Sequence, residues 1–247
     1  MRYLFNILPI LIALMLLGSP VVMHAQIPDT FTNLQVLPKN ISKNDLLQTM
    51  KGFTAALGVR CTYCHVGEEG RPFSEFKFPS DDKLTKGRAR VMIRMRDAIN
   101  TQFISQLGLV DEKTVECATC HHGLPAPMTL EEILLPTIMS NGRDSCFAKY
   151  RSLRKTYYGR SSFDFGEGSL QNLADKLDRE KGKTDDAIAV LKLNLEYFPE
   201  SGTTYFGLGE LYAKKSDKKQ AKSNLERAFS ILHDPRIKKR IEQLSGK

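Results

Sequence analysis

Cysteine and histidine are scarce in this chain, with five of each among 247 residues. At that frequency the string C-x-x-C-H is expected by chance on the order of 0.002 times. Long apolar runs are scarcer still. Beyond the N-terminal run that ends at Leu17, no stretch is long and apolar enough to cross a bilayer. No cysteine follows that run, which excludes a lipoprotein signal. Aromatic and basic residues are not interleaved in the way nucleic-acid surfaces require, which argues against nucleic acid as a partner.

What is present begins with compartment. Residues 1–25 place one positive charge, Arg2, before the apolar run, then Gly18 and Pro20, then Met23-His24-Ala25. This is the layout of a secretory signal peptide cut after Ala25. An uncleaved anchor is the alternative, but the run is short for a span and is broken by Gly-Ser-Pro. The mature chain is expected in the periplasm, soluble or at most peripheral at the membrane surface. Arg2 is the one charged residue removed, so the net charge of +8 becomes +7.

Against the scarcity of cysteine, two strings stand out. Residues 58–67 read GVRCTYCHVG, with Cys61, Cys64 and His65, and residues 115–123 read VECATCHHG, with Cys117, Cys120 and His121. A zinc ribbon pairs C-x-x-C motifs about 15–20 residues apart, and these are much further apart. A redox dithiol needs one such motif and no histidine. Two local disulfides would leave the repeated histidine without a purpose. C-x-x-C-H is the attachment signature of c-type haem. Two thiols one helical turn apart match the two vinyl groups on one porphyrin edge, and the next residue brings an imidazole to the iron. Two covalent haems are therefore predicted, with Cys61, Cys64, Cys117 and Cys120 as attachment points and His65 and His121 as iron ligands. The fifth cysteine, Cys146, reads as a small buried apolar residue on a helix.

Each iron has a second axial position. His24 leaves with the signal peptide, His233 lies far along the chain, and His122 follows His121 directly and points elsewhere. Methionine is the available alternative. Residues 40–60 predict a helix capped by Ser42 with Asp45, carrying Leu46, Leu47, Met50, Phe53, Thr54 and Leu57 at helical spacing and stopped by Gly58. Met50 lies about 12 Å along that helix from the bend into Cys61, within reach of a haem held by the next segment. A second helix is predicted from Ser80-Asp81 to Leu107, ending at Gly108, with Met92, Met95, Ile99 and Phe103 on one stripe. Spacing alone does not choose between Met92 and Met95. Arg88, Arg90, Arg94 and Arg96 flank the stripe, either facing haem propionates or forming a solvated face.

Taken together, LLQTMKGFTAALGVRCTYCH followed by ARVMIRMRDAIN and VECATCHHG resembles the cytochrome c subunit of photosynthetic reaction centres, over about residues 32–127. That family repeats a methionine-bearing helix, a turn and C-x-x-C-H. The resemblance implies that Met95, in RMRDAIN, is the ligand and that Met92 is packing. Known members carry four haems, whereas this chain has two motifs, and His122 stands where the family often has arginine.

Residues 128–167, with Pro125, Pro127 and Pro136 at the margin, are expected to hold a linker and a capping helix. Beyond them a period of 34 appears. The unit from Gly202 places Tyr205, Leu208-Gly209, Tyr212, Ala221, Leu225 and Ala228 as a tetratricopeptide repeat does, and the unit from Gly168 carries Ala187 and Leu191, with Pro199 near its end. The predicted fold class is all-α: a dihaem domain of helix hairpins over 26–127, then a two-repeat tetratricopeptide-like solenoid over 168–247 with a C-terminal helix. The predicted function is one-electron transfer between redox partner proteins, one of them docked through the repeats. A dihaem peroxidase and a haem-bearing scaffold are the alternatives, and no acid–base pair beside either motif supports the peroxidase.

Overall fold

The computed structural model describes residues 28–108 and 114–244, so the predicted signal peptide lies outside the described residues. Within them the chain is all-α, as expected, and its one isolated β-bridge joins Val66 to Lys77. The chain divides into two compact units. Residues up to 51 and from 60 to 114 form the first; residues 52–59 and everything from 115 form the second.

In the first unit, α1 (Lys43–Leu57) begins where Ser42 caps it: the Asp45 N–H donates to Ser42 Oγ at 3.1 Å. This satisfies one of the free amides of the first turn. The helix runs across the unit boundary and stops at Gly58, whose φ of +65° is readily adopted only without a side chain. The chain turns through the short 3₁₀ segment Cys61–Tyr63, crosses the loop 66–80 and enters α2 (Leu84–Ala98). A π-turn, Ile99–Phe103, and a 3₁₀ turn, Ile104–Leu107, carry it to Gly108. The end of this helical run falls where expected, but its start does not. Lys83, not Ser80-Asp81, precedes the first turn. Ser80 instead accepts from the Asp82 N–H, and Asp81 accepts from Arg90 and Asn33. Those partners hold the two residues in the loop.

The second unit begins with the last turns of α1, against which the Gly123 N–H donates to the Ala56 carbonyl at 2.8 Å. A Cβ on Gly58 would come within 2.2 Å of the Gly123 oxygen, so that crossing requires glycine. The five-residue α3 (Cys117–His121) opens on a capping box of Glu116 and Thr119. Residues 128–167, expected to hold a linker and a capping helix, are mostly helical. α4 (Leu130–Tyr157) is capped by Thr129 and Glu132, contains Pro136 near its start and bends at Gly142. Pro136 is tolerated close to a helix start, where few N–H groups have partners to lose. Cys146 is buried on α4, as predicted, with its thiol directed at the Leu134 carbonyl.

Two helix pairs follow: α5 (Glu167–Arg179) with α6 (Thr184–Tyr197), and α7 (Gly202–Lys214) with α8 (Lys218–Leu232). The final helix, α9 (Pro235–Leu244), lays Ile237 and Ile241 against Leu225 and Ala228. A Cβ on Gly209 would lie 2.6 Å from the Leu225 side chain, so α7 and α8 approach as closely as glycine permits. The main core joins Leu134, Tyr150, Phe165, Leu170, Leu173 and Leu177 to Val190 and Leu193.

Candidate cofactor-attachment sites

Each C-x-x-C-H string forms one turn of helix. At the first, the N–H groups of Cys64 and His65 both point to the Cys61 carbonyl, at 3.3 and 2.9 Å. The start of α2 clamps this turn from outside: Lys83 Nζ donates to the Thr62 carbonyl, and the Thr85 hydroxyl donates to the Tyr63 carbonyl. Both thiols are free and partly buried. Burial raises the Cys64 pKa.

The loop 66–80 folds over His65. The Lys77 N–H donates to the Val66 carbonyl at 2.9 Å, closing the loop at its base. Phe73, Phe76 and Phe78 pack together, and the Phe78 ring meets His65 edge-on at 5.1 Å. Gly67 has no Cβ to clash with the Phe76 ring. The far end of the loop is tied down by Lys86, whose Nζ donates to the Phe78 carbonyl at 2.8 Å and the Ser80 carbonyl at 2.7 Å. Burial lowers the His65 pKa, and the Lys86 ammonium adds to the effect. The imidazole is therefore neutral at pH 7, with a lone pair available. Its Nδ1 is buried and makes no hydrogen bond.

The second string lies in α3, in the second unit. His121 is 9% exposed, and its Nδ1 lies 2.8 Å from the Leu124 carbonyl. A carbonyl only accepts, so Nδ1 carries the proton and Nε2 is left as the electron-pair donor. His122 takes a left-handed conformation and is exposed, as the sequence anticipated in excluding it. Its carbonyl accepts from the Ser162 hydroxyl at 2.6 Å.

The predicted methionines fall on the predicted helices. Met50 is half-buried on α1 in the first unit. Met92 and Met95 are 40% and 45% exposed on α2, where Val91, Phe103 and Leu107 are also uncovered. Met95 belongs to the first unit and His121 to the second. Of the flanking arginines, Arg90 is half-buried in an ion pair with Asp81, while Arg88 and Arg94 are exposed. Sequence reasoning missed Lys86, Phe78 and Leu124. Only Lys86 carried a signal, four residues before Arg90 and so on the same helix face.

The donor set fits a covalently attached porphyrin. Each turn offers two cysteines outside any disulfide with a following imidazole, half-buried at His65 and buried at His121. Among the described residues no three Cys, His, Asp or Glu side chains converge as a metal cluster. Nor is any helix among them long and apolar enough to cross a membrane.

Residues 21–141 match the family model described as the photosynthetic reaction centre cytochrome C subunit. The chain is 35% identical to cytochrome c-554 of Chloroflexus aurantiacus over 100 residues, which is 40% of this chain and 22% of that protein. It is 33% identical to the photosynthetic reaction center cytochrome c subunit of Thermochromatium tepidum, over 40% of this chain and 22% of the relative. The subunit of the same name from Rubrivivax gelatinosus is 32% identical, over 39% of this chain and 31% of its own length. The chain thus aligns with less than a third of each of these curated relatives. No solved structure matches it.

Proposed function

We propose that this chain is an exported c-type cytochrome with two covalent haems, which passes single electrons between redox proteins in the periplasm. The observation that carries the reading is the pair of C-x-x-C-H turns, ending in a half-buried imidazole at His65 and a buried one at His121. Similarity of residues 21–141 to the reaction-centre cytochrome family supports it. Bound at these turns, haem supplies an Fe(III)/Fe(II) couple that accepts and releases one electron.

The chain's own residues divide the work. Cys61 with Cys64 and Cys117 with Cys120 form the thioether bonds, and His65 and His121 ligate the two irons. Met50 and Met95 would supply the second ligand to each iron. The uncovered apolar face of α2, with Met92, Met95, Phe103 and Leu107, suits a porphyrin plane. Filled axial positions leave no place for a substrate, which favours a carrier over an enzyme. The helix pairs α5/α6 and α7/α8 are two tetratricopeptide-like repeats; their 34-residue period and the close approach at Gly209 support this. They serve as a docking surface for one redox partner.

An optical spectrum of the oxidised protein tests the carrier reading. Thioether ligation gives a near-infrared sulfur-to-iron band on both haems. A high-spin signal from either haem would mean an open iron and would favour the peroxidase alternative.

A further inference from the structure

The two candidate proximal histidines differ in what their second ring nitrogen meets. At His121, Nδ1–H donates to the Leu124 carbonyl at 2.8 Å. Such a bond makes the imidazole a stronger donor and stabilises an oxidised metal. At His65, Nδ1 is buried and has no acceptor. The Phe78 carbonyl lies close enough to that ring to favour its protonated form, without a well-formed hydrogen bond to Nδ1, and it also accepts from Lys86 Nζ at 2.8 Å.

Charge points in the same direction. Lys86, Lys83 and Arg90 all act on His65. The anion among them is Asp81, which is shared by Lys86 at 3.0 Å and Arg90 at 2.9 Å. One carboxylate between two cations leaves an uncompensated positive charge. The Lys86 and Arg90 side chains are 12% and 13% exposed, so water screens that charge poorly. Oxidised iron carries one positive charge more than reduced iron and is disfavoured beside it.

We propose that Lys86 sets the haem attached at Cys61 and Cys64 to a higher reduction potential than the haem at Cys117 and Cys120, by engaging the Phe78 carbonyl, which weakens it as an acceptor for His65, and by placing its ammonium beside the ring. This rests on the two-haem reading above. Lys86 is a positioning and electrostatic residue and does not touch the iron. With both haems bound, the first would be reduced before the second.

The test is a spectroelectrochemical titration of the full holoprotein, with haem content fixed beforehand by mass. Wild type shows two resolved midpoints, and Cys61→Ala with Cys64→Ala removes the upper one. Lys86→Met lowers the upper midpoint and leaves the lower one in place, whereas Lys86→Arg keeps the upper midpoint near wild type. Asp81→Asn raises the upper midpoint, because Lys86 remains fixed by two carbonyls when its counter-charge is lost. Simple damage to the loop would shift Lys86→Met and Asp81→Asn in the same direction, so opposite signs are the signature. Two haems with an upper midpoint unmoved by Lys86→Met, or moved the same way by both changes, overturn the proposal alone. A chain with fewer than two haems overturns the functional reading and the proposal with it.

Discussion

The two units differ in what fills them. The second packs leucines, Tyr150 and Phe165 into a continuous core that needs nothing but protein. In the first, the apolar side chains buried among the described residues are Phe76 and Ile93, while Val91, Met92, Met95, Phe103 and Leu107 stay uncovered. A polypeptide of this size does not hold together on two buried apolar side chains. One of the two C-x-x-C-H turns lies in this unit, and a haem attached there, as proposed, would cover that apolar surface. The second unit has a core made of protein alone, whereas the first leaves much of its apolar surface uncovered.

The largest expected effect breaks that contrast at the cofactor. Cys61→Ala with Cys64→Ala should lose one of two haems and loosen the first unit, seen as fast hydrogen exchange across α2. The α4–α9 helices should keep their protection, because their core is independent of porphyrin. Equal loss of protection in both units would show that they share one core.

Within the second unit, Leu173→Ala should cost about 2–5 kcal/mol in denaturant unfolding, since the side chain is fully buried and leaves a cavity. Gly209→Val should cost about 1–3 kcal/mol by forcing α7 from Leu225. A neutral result at Gly209 would mean the two helices are not held at glycine distance. Smaller again is Thr129→Ala, which removes the cap of α4 and should cost about 1 kcal/mol. Smallest is Glu226→Gln. Its exposed pair with Lys222 spans one turn of α8, and its loss should change stability by no more than about 0.5 kcal/mol.

Much of this was legible from local signals. Ser42, Gly58 and Gly108 mark helix ends because capping and left-handed geometry depend on the residue itself. The spacing of Gly209, Ala221 and Leu225 pointed to the close helix pair, because a glycine facing Leu225 lets two helices approach. What sequence could not show depends on chain segments meeting. Asp81 looked like a helix cap until Asn33, 48 residues away, and Arg90 took its carboxylate into the loop. Lys86 reads as an ordinary solvated lysine; only the return of loop 66–80 brings the Phe78 carbonyl to it. Leu124 contributes a backbone carbonyl, which no side-chain pattern reports.

The two-haem account is tested most directly by the intact mass of the chain after maturation in a host that assembles c-type cytochromes. Under denaturing conditions, the account predicts the mass of residues 26–247 plus two haems, retained without any added ligand. A mature chain at its bare polypeptide mass, or with a single haem while all four motif cysteines are intact, would contradict it.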